Sequence, residues 1–94
     1  MHAVVVNTRI EESAMDPDHT IVREQIVPAL RQVPGFVGGY FLAPVHGIAH
    51  AVVVFESEDA ARSAAEGMGV TAGASLNPGT SILSVDFAEV AAQA

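Results

Sequence analysis

The chain has 94 residues, half of them hydrophobic, with a mean hydropathy of +0.38, no cysteine and a formal charge of −7. That length is one domain's worth of chain, predicted to span 1–94 as a unit. The absence of cysteine excludes disulfides, thiolate nucleophiles and Cys-based metal sites. Four Arg and no Lys against eleven acidic residues argue against nucleic acid or an anionic membrane as a partner, because both need cationic side chains.

His2 to Ile10 is rich in Val and reads as a strand. Its run Val4-Val5-Val6 is apolar on both alternating faces, the pattern of a strand covered on both sides. Glu11 to Met15 is a polar break. Asp16-Pro17-Asp18 is expected to start a helix, with Asp16 as cap and Pro17 at the first helical position. Val22, Ile26, Leu30 and Val33 then form one apolar stripe. Pro28 cannot bond back to the Glu24 carbonyl, which predicts a kink or a break there. Pro34-Gly35 ends the helix.

Phe36 to Ala43 reads as a second strand, with a bend or bulge at Gly38-Gly39. Pro44-Val45-His46-Gly47 is a turn into a third strand, Ile48 to Glu56, which is again apolar on both faces and forms a hairpin with the second. Ser57 caps a second helix, Glu58 to about Glu66, whose face of Ala60, Ala61, Ala64 and Ala65 lets it lie close on a sheet. A glycine-rich connection follows, with a turn of helix expected near Ala74. Ser81 to Ala88 is the last strand. The start of the chain has no basic n-region, and no apolar run reaches the 18 or more residues of a membrane helix, so a cytoplasmic protein is expected.

The order β-α-β-β-α-β with right-handed crossovers gives an α+β, ferredoxin-like fold, a four-stranded antiparallel sheet with two helices on one face. The first and third strands lie centrally in that topology, and they are the two with apolar residues on both faces. No element remains to cover the second face. A second copy, packed sheet against sheet, is the expected cover. At roughly 25 cal/mol per Å², burying a few hundred Å² per subunit is worth several kcal/mol before the cost of association.

Two segments carry a family resemblance: Pro34-Gly35-Phe36-Val37-Gly38-Gly39-Tyr40, and Val54-Phe55-Glu56-Ser57-Glu58-Asp59-Ala60 after the hairpin. They resemble the dimeric α+β barrel superfamily, in particular its antibiotic-biosynthesis-monooxygenase-like branch. The matching residues are a helix stop, a strand start and a helix cap, so they speak for fold more than activity. The resemblance implies a homodimer paired through its sheet faces, with a ligand cleft between sheet and helices in each subunit. Members include cofactor-independent monooxygenases, haem-degrading enzymes and proteins without known activity. Haem degraders of this class use an Asn near the end of strand one, a Trp at the strand three to helix two junction and a later His. Asn7 matches the first and Phe55 stands at the second, but the chain has no Trp and no His beyond His50. No cofactor and no metal site are therefore expected.

Four residues stand out as ligand-binding candidates: Asn7, Arg9, Tyr40 and His50. Asn7 interrupts an apolar strand, where its amide either holds a ligand oxygen at the cleft wall or bonds locally. Arg9 meets either a ligand anion or an acidic neighbour such as Asp86. Tyr40 donates to a ligand or packs at the rim. His50, on the same side as Val52 and Val54, is either a general base or a hydrogen-bonded interface histidine. Three functions remain open on this basis: a binder of a small neutral apolar or aromatic molecule, a cofactor-independent monooxygenase-like enzyme, or a non-catalytic structural or auxiliary dimer.

Overall fold

The computed structural model describes residues 1–75 and 77–94; position 76, in the glycine-rich connection, lies outside them. Four strands form one antiparallel sheet: β1 (His2–Ile10), β2 (Phe36–Phe41), β3 (Ile48–Phe55) and β4 (Thr80–Glu89), in the order β2-β3-β1-β4. The two strands with apolar residues on both faces, β1 and β3, are central, as the ferredoxin-like topology requires. The connection after the second helix covers part of the β4 edge: the Gly73 N–H bonds the Ile82 carbonyl at 2.7 Å, and the Ile82 N–H bonds the Ala74 carbonyl at 2.8 Å. That segment is a hydrogen-bonded turn, not the turn of helix expected near Ala74.

The first helix departs from expectation at its start. Asp16-Pro17-Asp18 forms a turn, and helical residues run over 20–31. Asp16 still caps, its Oδ2 accepting the Ile21 N–H at 3.0 Å. His19, just before the helix, takes a left-handed conformation with φ 55°. The break expected at Pro28 is absorbed upstream. Val22–Ile26 is π-helical, with the Val27 N–H bonded to the Val22 carbonyl, and Val27–Arg31 (α1) continues as α-helix. A proline has no N–H to give the carbonyl four residues back, and the wider turn relocates that mismatch instead of breaking the helix.

The second helix, α2 (Glu58–Gly67), starts at Ser57, whose Oγ accepts the Ala60 N–H at 3.1 Å. Its buried residues, Ala61, Ala64 and Ala65, are all alanines, which brings its backbone close to the sheet. The core joins Val4, Leu30, Val53, Phe55, Ala61 and Ala64, with Phe36 edge-on to Phe55 at 6.1 Å between ring centroids. Arg62 lies 4.4 Å from the Phe87 ring centroid, and its guanidinium pairs with Glu58 at 3.1 Å in an exposed i,i+4 bridge of little energetic weight.

Gly35 joins the first helix to β2 at φ +82°, and a Cβ there would lie 2.9 Å from the Ala60 Cβ. Both the backbone and the space require glycine. Gly35→Ala is expected to lose about 2 kcal/mol in urea denaturation. A loss under roughly 0.5 kcal/mol would mean that this turn relaxes away from α2 without cost.

Candidate functional site

Strand pairing assigns each side chain to a face. Val4, Val6, Thr8 and Ile10 of β1 stand opposite Val53, Ala51 and Ala49 of β3 and Phe87, Val85, Ile82 and Thr80 of β4, on the side that carries the helices. The alternate residues of β1, namely Ala3, Val5, Asn7 and Arg9, share the opposite, open face with Val54, Val52, His50 and Ile48.

On the helix side the sheet and helices do not close completely. A cavity of about 540 Å³ lies between them. Its sheet wall includes Val6, Ala49, Ala51 and Val53, and its helix wall includes Val22, Ile26, Leu30 and Ala64. The reason for the space is visible in the residue types. Where the two central strands face the first helix, β3 supplies alanines at 49 and 51, whose side chains stop at Cβ, and α2 supplies Ala64 and Ala65. Polar residues gather near the end of β1, where Thr8, Asp16, His19, Asn77 and Thr80 contribute to the lining, and Gln25 of the first helix and His50 of β3 also line it. No Arg or Lys lines the cavity among the described residues.

Of the sequence candidates, His50 lines the cavity, and Asn7, Arg9 and Tyr40 do not. For Asn7 the sequence left two places open, the cleft wall or a local bond; the register puts it on the open face, because the residues that meet the helices are its neighbours Val6 and Thr8. There it links three strands. Its Nδ2 donates to Ser84 Oγ at 2.8 Å on β4, and its Oδ1 accepts from His50 Nδ1 on β3. With the amide so oriented, the neutral imidazole carries its proton on Nδ1 and leaves Nε2 as an acceptor. Residue 50 also borders the cleft end, beside Ala49 and Ala51.

Tyr40 stands opposite Val52 on the open face and is 76% exposed. In an unbroken strand, period-two alternation would put Tyr40 on the same side as Phe36. The β2–β3 register shifts between Phe36 and Gly38, so Val37 is the extra residue and Tyr40 falls on the far side from Phe36. Gly39, beside this bulge, cannot carry a side chain: a Cβ would lie 2.6 Å from the Val52 carbonyl oxygen. Arg9 is paired with Ser81 and Asp86 with Val5, at separate positions along β1, so the expected Arg9–Asp86 bridge does not form. Asn7 and His50 are thus brought together, while Tyr40 and Arg9 share their face without joining them.

The cleft residues that sequence reasoning missed are Thr8, Asp16, His19, Ala49 and Ala51. Period-two parity grouped Thr8 with Val4 and Val6, which was a usable signal. The alanines were readable only once the facing helix was in place.

No protein-family model matches the chain, and no curated protein matches it. Among solved structures, the chain is similar to the haem-degrader MhuD from Mycobacterium tuberculosis, solved with two haems bound in its active site. Identity is 25%, the match covers 98% of each chain, and the TM-score is 0.67. The likeness supports the ferredoxin-like α+β fold over the whole length. Among the described residues no helix is long and apolar enough to cross a membrane.

Proposed function

We propose that this protein binds a small, neutral, apolar or aromatic molecule in the cleft between sheet and helices, and that it does so as a homodimer joined through the open sheet faces. The observation that carries the first part is the cavity of about 540 Å³ with its alanine-lined floor, a size typical of small-molecule sites. A purely structural module would gain from filling that space with larger apolar side chains, since unfilled volume in a core costs stability.

Haem, the ligand of the structural neighbour, does not fit this lining. Its two carboxylates would meet Asp16 and no cationic side chain among the described residues of the cavity, in a chain of formal charge −7. A neutral ligand meets no such penalty. Titration with a neutral aromatic probe such as 2-naphthol, followed by fluorescence, is expected to saturate at one probe per chain; failure to bind at millimolar probe would remove this function.

The homodimer rests on the open face. Tyr40 and Val52 are 76% and 37% exposed, and Val5 and Val54 lie beside them. On this arrangement Asn7, Arg9, Tyr40 and His50 stand at the subunit interface. Sedimentation equilibrium at micromolar concentration is expected to give twice the chain mass, and a monomer would contradict the pairing. Asn7→Val removes the amide linking His50 to Ser84 without touching the cleft. It is expected to change the dimer dissociation constant while leaving probe affinity within about twofold, because the Asn7 side chain lies on the face of the sheet away from the helices. A tenfold loss of probe affinity would instead tie Asn7 to the ligand.

A further inference from the structure

The cleft differs between its two ends. At one end Val4, Leu30, Phe55 and Ala64 are all buried and close it with apolar surface. At the other, Thr8 near the end of β1, Asp16 and His19 before the first helix and Asn77 before β4 line the opening, with Gln25 and His50 the further polar residues of the lining. The topology makes this polarity inevitable. The first helix starts where β1 ends and runs back, so that Leu30 packs near Val4, and Asp16, His19 and Asn77 of the two flanking loops are delivered to the same mouth.

Two features shape the mouth. Asp16 is held in place, its carboxylate accepting the Ile21 N–H at 3.0 Å. His19 takes a left-handed backbone, φ 55°, in the turn that leads into the first helix, and its imidazole lines the mouth. An imidazole can both donate and accept a hydrogen bond, as can a hydroxyl and a carboxamide. A carboxylate without an Arg or Lys beside it repels an incoming anion.

We infer that the cleft takes an apolar molecule carrying one uncharged hydrogen-bonding group, seated body first against Leu30 and Phe55 with that group at the Thr8–Asp16–His19–Asn77 mouth, and that it rejects the corresponding anion. This inference rests on the cleft being the ligand site. Its new content is the direction of entry and the selection by charge.

The test compares naphthalene, 2-naphthol and 2-naphthoate on the full chain at pH 7, by fluorescence titration. The body is constant and only the head changes. 2-Naphthol should bind about fivefold or more tightly than naphthalene, and 2-naphthoate about tenfold or more weakly than 2-naphthol. Asp16→Asn, which keeps the helix cap, should narrow the gap between 2-naphthoate and 2-naphthol by several-fold. His19→Gly, which accepts the left-handed backbone without strain, should bring 2-naphthol to within about twofold of naphthalene. Equal affinities for all three probes, or 2-naphthoate binding tightest, would overturn the inference while leaving the cleft as a ligand site. Binding of none would overturn both. An unchanged ratio in both variants, with circular dichroism showing them folded, would overturn the assignment of the mouth.

Discussion

Ala51→Phe is expected to weaken binding of a neutral aromatic probe by about tenfold or more, equivalent to about 1.4 kcal/mol or more, with little effect on folding. Ala51 sits on β3 opposite Val6, half-buried, and lines the floor of the cleft. The added ring occupies the space that the probe needs. In a close-packed core such an insertion costs about 1–3 kcal/mol through off-rotamer side chains and backbone shifts. Here the volume is already available, about 540 Å³ of it, so the urea denaturation free energy should stay within about 1 kcal/mol of the parent. The combination is the informative result: lost binding with stability kept identifies the cavity as the ligand site, whereas unchanged binding removes it. A general loss of folding would show that the cleft is closed in solution.

Phe55→Ala should produce the largest loss of stability of any single truncation, about 3–5 kcal/mol. Phe55 is 2% exposed, meets Phe36 edge-on, and lies in one cluster with Val4, Leu30, Val53, Ala61 and Ala64. It is the largest of these buried side chains, in a core otherwise built from Val, Leu and Ala. The neighbours cannot collapse into the gap, because α2 already rests on the sheet through alanines, with Ala61 wholly buried. Against a total of about 5–15 kcal/mol for a small domain, a loss of that size leaves a marginal or partly unfolded chain. Urea denaturation followed by circular dichroism measures it directly, and a loss below about 1.5 kcal/mol would place the core elsewhere.

The order of elements was legible because the signals are local. The Val-rich runs gave β1 and β3 with their central places, Ser57 gave the start of α2, and Pro34-Gly35 the end of the first helix. The face of each strand was not legible, and the site depends on it. Val4-Val5-Val6 is apolar at odd and even positions alike, so nothing local says which set meets the helices. Once the even set does, Asn7 and His50 go to the open face and Thr8, with Ala49 opposite it, to the cleft. Tyr40 shows the same dependence through a bulge: the glycine pair signalled an irregularity, but a shift of one residue at Val37 decided its side. Pro28 is a different case. The lost donor was certain from sequence, while its outcome, a π-helical turn along the cleft wall, depended on how the rest of the helix packs.

The site is tested most directly by nuclear magnetic resonance on the uniformly labelled chain saturated with 2-naphthol, read through contacts between probe protons and side-chain methyls. Contacts to Val6, Ile26, Ala51 and Val53, with none to Val5, Val52 or Val54, are the expected pattern. Contacts confined to Val5, Val52 and Val54 would place the ligand on the open face and contradict the cleft as the binding site.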